Sequence, residues 1–328
     1  MILSAGLGTR LQPITEFIPK PLVPVLNIPN VVHSIDLLKR CGVTEIVMNL
    51  HHLAHDIRQY LDDGSRFGVS LRYTFEPDLL GTGGGVKTAA PFFNNEPFIL
   101  VNCDFIIDID LSAAIARHFE RKALATMVVT EPLDGYTRVY FDKNRRLLSF
   151  EEGTETFGTF TGIHILSPEC LHLLRPVYSS IITDLYMKSI TRHFGSVYCD
   201  EAPRGAWHDT GDCRSLYHST IALLAKISHS PTIRSSISRH LDYHEIIPGI
   251  WIPSDKKLPG TITIKAPAII GSPDQLCADT EVGPYAVLSP QTWSRKPCAM
   301  SNILTIGSNQ MAHGTLSGFF FNGNDLLK

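Results

Sequence analysis

The sequence shows little excess of charge of either sign, because 29 lysines and arginines are balanced by 32 aspartates and glutamates, for a net charge of −3 at pH 7. This balance gives no reason to expect nucleic acid or a membrane surface as a partner. Apolar runs stay well below the ~20 residues of a membrane-spanning helix. The N-terminus also lacks a basic region followed by a long apolar one, so we predict no signal peptide.

Cysteine is sparse and irregularly spaced, with seven residues in 328. The number is odd and no C-x-x-C pair occurs, which argues against a disulfide framework and against zinc. We therefore predict reduced thiols in a cytoplasmic protein. The length and a hydrophobic fraction of 44% suit one large domain plus a smaller one.

The first two dozen residues contain the densest group of chemically informative side chains. A short apolar run, Ile2-Leu3, predicts a buried strand, and it is followed by a loop of small residues that ends at Arg10. Glycines in such a loop let backbone N–H groups approach an anion, and a guanidinium suits phosphate oxygens. Lys20 stands between two prolines, so its ammonium extends from a stiff segment. The dinucleotide fingerprint is disfavoured because Leu11 stands where its third glycine belongs.

Strand and helix patterns alternate over about residues 1–130, which predicts a parallel sheet with helices on both faces. Asp104 follows a buried-strand pattern, and Asp209 lies in Trp-His-Asp-Thr-Gly. Ligands bind beyond the carboxyl ends of the strands in such sheets. Either aspartate alone could also be an ordinary turn or capping residue. Residues 229–245 have the composition of a linker, and the apolar steps after Ile246 predict degenerate hexapeptide repeats.

The pairing of GLGTRL with PKPLVPV resembles the signature of the sugar-1-phosphate nucleotidylyltransferases, also called NDP-sugar pyrophosphorylases. The resemblance implies an α/β fold, a Rossmann-like nucleotidyltransferase domain with a mixed, mostly parallel sheet. A small left-handed β-helix-like domain would follow it. The expected division is a catalytic domain over 1–228, a linker over 229–245 and a repeat domain over 246–328.

The resemblance also implies roles for individual residues. Arg10 would hold the β- and γ-phosphates, and Lys20 would neutralise charge at the α-phosphate. Asp104 and Asp209 would hold Mg²⁺, which prefers oxygen ligands. The nucleotide would be contacted by the opening loop, namely Leu3, Ala5, Gly6, Gly8 and Thr9.

A second glycine run, residues 81–88, resembles the loop of the family that the base and sugar approach, and Gly81, Thr82 and Gly83 are the expected contacts. A phosphate-binding P-loop would need glycine where Val86 stands. Glu76 precedes this run. Its carboxylate could accept from the N1–H and 2-amino groups of guanine, which favours GTP. A surface glutamate is an equally good interpretation.

The sugar 1-phosphate is expected near Thr161 and Gly162, which lie in a stretch that resembles the sugar-facing strand of the family. Asp184 and Glu131 are further candidates for this pocket. The sequence departs from the family at Phe150-Glu151-Glu152-Gly153, where many relatives carry a lysine for the sugar phosphate. It also has Asp212 where relatives usually have threonine, and aspartate caps a helix equally well.

Three histidines, His51, His52 and His55, could suggest a metal site. They lack a third ligand at a recognisable spacing, and loop or surface histidines are the better interpretation.

The sequence therefore predicts transfer of a nucleotidyl group to a sugar 1-phosphate with Mg²⁺ as cofactor, from GTP to mannose 1-phosphate in the first instance. A uridylyltransferase for glucose 1-phosphate or an N-acetylated amino-sugar 1-phosphate is the runner-up. A non-catalytic subunit that binds nucleotide-sugar is the alternative of another class. The C-terminal domain could mediate a homo-oligomer.

Overall fold

The computed structural model describes residues 1–151, 156–192 and 195–327. Its contacts divide the chain into two compact units. The first comprises Met1–Leu7, Ile18–Pro21 and Ser34–His208, and the second comprises Gly8–Phe17, Leu22–His33 and Asp209–Lys328. The domains predicted from the sequence are consecutive stretches with boundaries at 228 and 246, whereas each of these two units combines separate stretches of the chain. The predicted boundaries therefore stay a prediction.

The first unit is built on one sheet, which is mixed as predicted. The short strand Ile2–Leu3 pairs in parallel with Glu45–Leu50 on one side and with Phe98–Asn102 on the other. The long strand Thr156–Leu166 then runs antiparallel to Phe98–Asn102. The nine strands of the sheet, counted over the described residues, are Ile2–Leu3, Glu45–Leu50, Ser70–Phe75, Phe98–Asn102, Ala125–Thr130, Arg138–Phe141, Leu147–Ser149, Thr156–Leu166 and Val197–Glu201.

The strands are buried because their apolar residues are continuous, as in Ala125–Thr130, where all six positions are buried. Leu100, Met127 and Phe141 pack together in one core cluster of this unit. Further short strands of the chain lie outside the large sheets, at Pro24–Val25, Ile28–Pro29, Phe105–Ile107 and Trp207–Asp209.

Helices cover the remaining regular segments. The α-helices are Asn30–Arg40, Ala54–Leu61, Gly81–Thr88, Ser112–Glu120, Lys188–Arg192, Cys213–Ala225 and Pro231–His240, with a π-helix at Ile182–Met187. Short 3₁₀ turns are Thr9–Leu11, Ile14–Glu16, Lys20–Leu22, Ser65–Phe67, Ala90–Phe92, Pro168–His172 and Pro273–Gln275. Within the described residues, we find no helix that is long and apolar enough to cross a membrane.

The segment predicted as a linker contains regular structure. The helix Pro231–His240 begins after Ser230, whose hydroxyl accepts a hydrogen bond from the Ile233 N–H. Pro231 suits the first helical position because its missing N–H would have no partner there. Tyr243–Ile247 then pairs antiparallel to Ile250–Pro253. The polar composition indicated a loop, but the capping serine and the proline start a helix.

The last part of the second unit consists of short strands that pair in parallel at intervals of 15 to 18 residues. Ala268 pairs with Ala286, and Thr263 pairs with Glu281, each partner lying 18 positions further along the chain. Other parallel pairs are separated by 17 residues, as for Ala286 and Ile303, or by 16, as for Cys298 and Gly314, so a left-handed β-helix of degenerate hexapeptides stays a prediction. The strands of this part are Ile250–Pro253, Thr263–Ile264, Ala268–Ile270, Glu281–Val282, Ala286–Leu288, Thr292–Ser294, Cys298–Ile306, Asn309–Met311 and Gly314–Phe321, with Asn324–Asp325 pairing antiparallel at the end.

Candidate active site

A cavity of about 310 Å³ lies in the first unit where the parallel strands end. Leu3 and Asn102, the last residues of strands Ile2–Leu3 and Phe98–Asn102, both line it. This is the position at which open α/β sheets bind ligands. The cavity is lined by Leu3, Ser4, Ala5, Gly6, Lys20, Asn49, Glu76, Leu79, Gly81, Thr82, Asn102, Cys103, Asp104 and Tyr178.

The opening loop is fixed to the neighbouring strand by Ser4. The Ser4 N–H donates to Asn49 Oδ1 over 2.9 Å, and the Ser4 hydroxyl donates to the Asn49 carbonyl over 2.6 Å. Gly6, two residues after Ser4, is not packed against a neighbouring residue on its side-chain side, because a Cβ built on it would meet no atom within 4 Å. Its backbone faces open space, which leaves room for a ligand to approach the loop.

Lys20 and Asp104 form the charged part of the cavity. Lys20 Nζ lies 2.6 Å from Asp104 Oδ2, and the two side chains are only 16% and 22% exposed. A cation and a carboxylate are thus held against each other beside the open loop. Cys103 precedes Asp104, and burial raises the pKa of its thiol to about 12, so it is no nucleophile at neutral pH.

Glu76 lines the same cavity but is only 1% exposed. The Asn49 side-chain amide donates to Glu76 Oε1 over 2.7 Å, and the Leu80 N–H donates to Oε2 over 2.9 Å. The carboxylate therefore ties the end of one strand to the start of the next helix. Each oxygen keeps a second lone pair for a further donor.

His51, one of the three histidines, has a structural explanation. Its Nδ1 lies 2.7 Å from the carbonyl oxygen of Glu76. Over the part of the chain that the structure describes, no group of three or more histidines, cysteines, aspartates or glutamates is arranged to hold a metal ion. His51 and His52 lie in the turn after strand Glu45–Leu50, and His55 is an exposed residue of helix Ala54–Leu61.

The second glycine run forms the helix Gly81–Thr88, so its prediction as a loop is wrong. A Cβ on Gly84 would come within 2.3 Å of the Val177 carbonyl oxygen, and one on Gly83 within 2.7 Å of Ser179 Oγ. These glycines therefore admit another segment of the protein. Gly81 and Thr82 do line the cavity, whereas Gly83 is buried and is not among its lining residues.

The other predicted nucleotide residues belong to the second unit. Gly8 has φ of 69° and precedes the short helix Thr9–Leu11, and the Thr15 hydroxyl donates to the Gly8 carbonyl over 2.9 Å. Arg10 lies on this helix, and its guanidinium is a neighbour of Gly211. A Cβ built on Gly211 would lie 2.8 Å from Arg10 Nη2 and 3.1 Å from Asp209 Oδ1.

Asp209 begins a short capped turn in the same unit. Its Oδ1 accepts from the Gly211 N–H over 3.1 Å. Three residues later, Asp212 caps helix Cys213–Ala225 by accepting from the Ser215 N–H over 2.8 Å. The capping role predicted for Asp212 is confirmed.

The predicted sugar residues lie on the long strand and its neighbours in the first unit. Thr161 is 1% exposed, and its hydroxyl donates to the Val128 carbonyl over 2.8 Å. Its own carbonyl accepts from the Trp207 indole over 2.9 Å. Gly162 has φ of 91° at a register shift of this strand, and a Cβ would lie 2.9 Å from the Phe105 ring. The Thr161 hydroxyl is thus already engaged with the sheet.

The two predicted carboxylates of the sugar pocket are both hydrogen-bonded. Although burial raises it, hydrogen bonds from the Thr130 hydroxyl and the Gly205 N–H leave the pKa of Glu131 below its ordinary value. Lys188 Nζ lies 2.5 Å from Asp184 Oδ1 and lowers the pKa of that carboxyl. None of Glu131, Thr161, Gly162 and Asp184 is among the lining residues of the cavity. The departure from the family at Glu152-Gly153 lies outside the described residues.

Sequence reasoning missed several residues of the cavity. Asn49 had a signal, since it is a polar residue among the buried apolar residues of strand Glu45–Leu50. Asn102 likewise ends a buried strand. Tyr178 had no such signal, because it lies in an irregular segment whose position in the sequence is far from the other residues that line the cavity.

Comparison with known proteins supports the family resemblance that was seen in the sequence. A sequence model described as "Nucleotidyl transferase" matches residues 1–226, which is more than half of the chain. The chain belongs to the nucleotidyl transferase family. The predicted relationship is therefore confirmed.

Named relatives of this family fall into two groups. A UTP–glucose-1-phosphate uridylyltransferase from Synechocystis is 38% identical over 52% of this chain and 49% of its own. An N-acetylmuramate α-1-phosphate uridylyltransferase from Neisseria meningitidis is 44% identical over 35% of this chain and 50% of its own. The catalytic subunit β of mannose-1-phosphate guanylyltransferase from Dictyostelium discoideum is 30% identical over 64% of this chain and 60% of its own. The chain spans about half to three fifths of the length of these relatives.

Solved structures resemble the chain in fold. A structure titled as a putative glucose-1-phosphate thymidylyltransferase from Bacillus anthracis has a TM-score of 0.60 at 23% identity, over 71% of this chain and 97% of that one. HddC from Yersinia pseudotuberculosis has a TM-score of 0.58 at 24% identity, over 68% of this chain and 97% of its own. Both identities are low, so these likenesses show the nucleotidyltransferase α/β fold alone.

Proposed function

We propose that this chain transfers a nucleotidyl group from a nucleoside triphosphate to a sugar 1-phosphate and releases pyrophosphate. The observation that carries the proposal is the cavity at the strand ends, where Lys20 and Asp104 lie beside the open backbone of Gly6. Membership of the nucleotidyl transferase family supports the same reaction.

The reaction has a simple balance. An oxygen of the sugar 1-phosphate attacks the α-phosphorus, a new P–O bond forms, and the bond to the bridging oxygen of the β-phosphate breaks. The nucleophile is already anionic at neutral pH, so no general base is needed. The protein must bring several negative charges together in line, and catalysis rests on cations and positioning.

Individual residues then have distinct roles in this proposal. Lys20 neutralises charge at the α-phosphate, and Arg10 holds the phosphates that leave as pyrophosphate. Backbone N–H groups of the opening loop, including those of Ala5 and Gly6, contact the nucleotide.

The donor chemistry suits a magnesium ion. Asp104 and Asp209 offer carboxylate oxygens, and Mg²⁺ needs only one or two of these when substrate phosphates and waters complete its shell. When bound, the ion would neutralise charge on the phosphates as a Lewis acid. In this proposal the two aspartates would be its protein ligands.

Two observations favour UTP over the GTP that Glu76 suggested in the sequence. Each Glu76 oxygen already accepts one hydrogen bond and the side chain is 1% exposed, so only one lone pair of each oxygen is left for a base. Guanine would need both of them, for its N1–H and 2-amino groups, whereas uracil would need only one, for its single N–H donor. The two uridylyltransferases are also 38% and 44% identical, over 191 and 115 residues, against 30% over a longer stretch of 219 residues for the guanylyltransferase.

GTP with mannose 1-phosphate remains the second candidate, because Glu76 lines the cavity and keeps lone pairs for a further donor. For the sugar we propose glucose 1-phosphate or an N-acetylated sugar 1-phosphate with UTP. Glu131, Thr161, Gly162 and Asp184 are the proposed neighbours of the sugar, with Thr161 contributing backbone groups because its hydroxyl is engaged.

The test is pyrophosphate release with Mg²⁺ from UTP, GTP, CTP, ATP and dTTP against a panel of hexose 1-phosphates. We expect turnover with UTP and one sugar, and none after chelation of the metal with EDTA. Asp104→Asn should remove turnover, whereas Asp255→Asn, which changes an exposed aspartate of the second unit, should not. Nucleotide binding without turnover for any pair would overturn the enzymatic proposal in favour of a regulatory subunit.

A further inference from the structure

Tyr178 is exposed to an unusual degree for an aromatic side chain that lines a cavity. It is 80% exposed, and it belongs to the lining of the cavity described above. A ring that is this exposed contributes little to folding stability, because it is not buried in the hydrophobic core. A ring held at the wall of a ligand cavity offers a flat apolar face to a planar ligand.

The backbone around Tyr178 is firmly held. The Ser179 N–H donates to the Leu80 carbonyl, and the Ser179 carbonyl accepts from the Gly83 N–H, each over 2.9 Å. The Ile181 N–H donates to the Thr82 hydroxyl, also over 2.9 Å. Tyr178 is therefore presented by a segment that is anchored on the start of helix Gly81–Thr88.

The glycines of this helix explain why the segment can come so close. Cβ atoms at Gly81, Gly83 and Gly84 would come within 2.3–2.7 Å of atoms of Val177 and Ser179. The glycine run thus serves to seat the segment that carries Tyr178. The glycine run thus contributes to the cavity indirectly, by allowing the segment with Tyr178 to pack close to the helix.

The position of Tyr178 indicates which part of a ligand it meets. Its anchor is next to Leu79 and Gly81, which line the cavity without charge, and Glu76 accepts from the Leu80 N–H in the same region. The charged pair Lys20–Asp104 is formed by other segments of the chain. A nucleotide with its phosphates at the charged pair would place its base toward Leu79, Gly81 and Tyr178.

We propose that Tyr178 is a binding residue that stacks on the nucleobase of the bound nucleoside triphosphate. This inference rests on the proposed function and adds a base platform to it. Stacking of a base on an aromatic side chain contributes about 1–3 kcal/mol, which corresponds to a loss of about 5- to 150-fold in affinity when the ring is removed. The contact tolerates any base, because every base has a π-face.

The test is direct binding of UTP and GTP by calorimetry, without sugar 1-phosphate, to the full chain and to Tyr178→Ala, Tyr178→Phe and Phe119→Ala. We expect Tyr178→Ala to raise the Kd at least about 5-fold and Tyr178→Phe to stay within about 2-fold of the wild type. Phe119→Ala is the matched control, because Phe119 is 56% exposed and does not line this cavity. Removing an exposed ring should leave the melting temperature unchanged.

Steady-state kinetics separate this inference from the proposed function. The KM for the triphosphate should rise in Tyr178→Ala while the KM for the sugar 1-phosphate is retained. An unchanged Kd for both nucleotides, or a rise only in the KM for the sugar 1-phosphate, would overturn the stacking role and leave the reaction intact. Weakened nucleotide binding in a chain that never releases pyrophosphate would support the stacking role and refute the reaction.

Discussion

Lys20 Nζ and Asp104 Oδ2 lie 2.6 Å apart, and both side chains are largely buried. An aspartate that ligates a divalent cation uses the same oxygens with which it pairs with a lysine. Under the proposed function, a divalent cation bound by Asp104 would compete with the Lys20 ammonium for this carboxylate, and the α-phosphate would be a suitable new partner for Lys20. The pair keeps a cation at the site before the substrates arrive.

Replacing Lys20 with methionine should separate its two effects. Loss of the competing ammonium should raise the affinity for Mn²⁺, a spectroscopic substitute for Mg²⁺, by about 2- to 10-fold. Turnover should fall by about 100-fold or more, because charge at the α-phosphate loses a preorganised partner. Electron paramagnetic resonance titration of Mn²⁺ and a pyrophosphate assay measure the two quantities. Lys257→Met, at an exposed position, is the control, and an unaltered Mn²⁺ affinity would show that Lys20 does not compete for Asp104.

Alanine at two glycines should give opposite results. A Cβ at position 84 would lie 2.3 Å from the Val177 carbonyl oxygen, so Gly84→Ala should lower the free energy of unfolding by about 1–3 kcal/mol. A Cβ at position 6 meets nothing within 4 Å, so Gly6→Ala should leave stability nearly unchanged and weaken nucleotide binding. Urea denaturation and calorimetry measure these effects. Equal stability of the two variants would contradict the close packing at position 84.

Glu76→Gln should weaken the connection between the strand and the helix. The amide offers only one acceptor oxygen, so either Asn49 or the Leu80 N–H loses its partner. We expect the free energy of unfolding to fall by about 1–3 kcal/mol. Chemical denaturation measures this, with Glu120→Gln, at an exposed position, as the control. A fully stable variant would mean that these hydrogen bonds are dispensable.

Stability should depend on pH through His164. Burial lowers the pKa of this histidine from 6.5 to about 3, so the folded protein keeps the ring neutral beside the Tyr186 hydroxyl. The unfolded chain binds the proton near pH 6.5 and therefore holds more protons between about pH 6.5 and 3. The contribution is fully present above about pH 6.5 and is lost as the pH falls, by at most about 1.4 kcal/mol per unit.

Urea denaturation at about pH 7.5 and about pH 5 checks this dependence. His164→Gln should be less stable at both values but should show a smaller difference between them. His118, whose pKa is also lowered by burial, would supply part of the remaining dependence. An identical difference in wild type and variant would exclude His164 as a source.

The sequence by itself determined the elements whose signals are local. The strand Glu45–Leu50 and the helix after Asp212 appear with the bounds or the cap that their own residues predict. The family was also readable, because its signature is a contiguous run of residues. The helix after Ser230 had a local signal too, but the polar composition around it concealed the cap and the proline.

Only the tertiary structure decided what the second glycine run does. Glycine disfavours a helix on its own, yet Gly83 and Gly84 are helical because a segment almost 100 residues away packs where their side chains would be. The same packing brings Tyr178 to the cavity. A different long-range contact, the parallel pairing of strands Glu45–Leu50 and Ser70–Phe75, brings Asn49 to Glu76. Neither relationship has a sequence signal, since each depends on which distant backbones share a surface after folding.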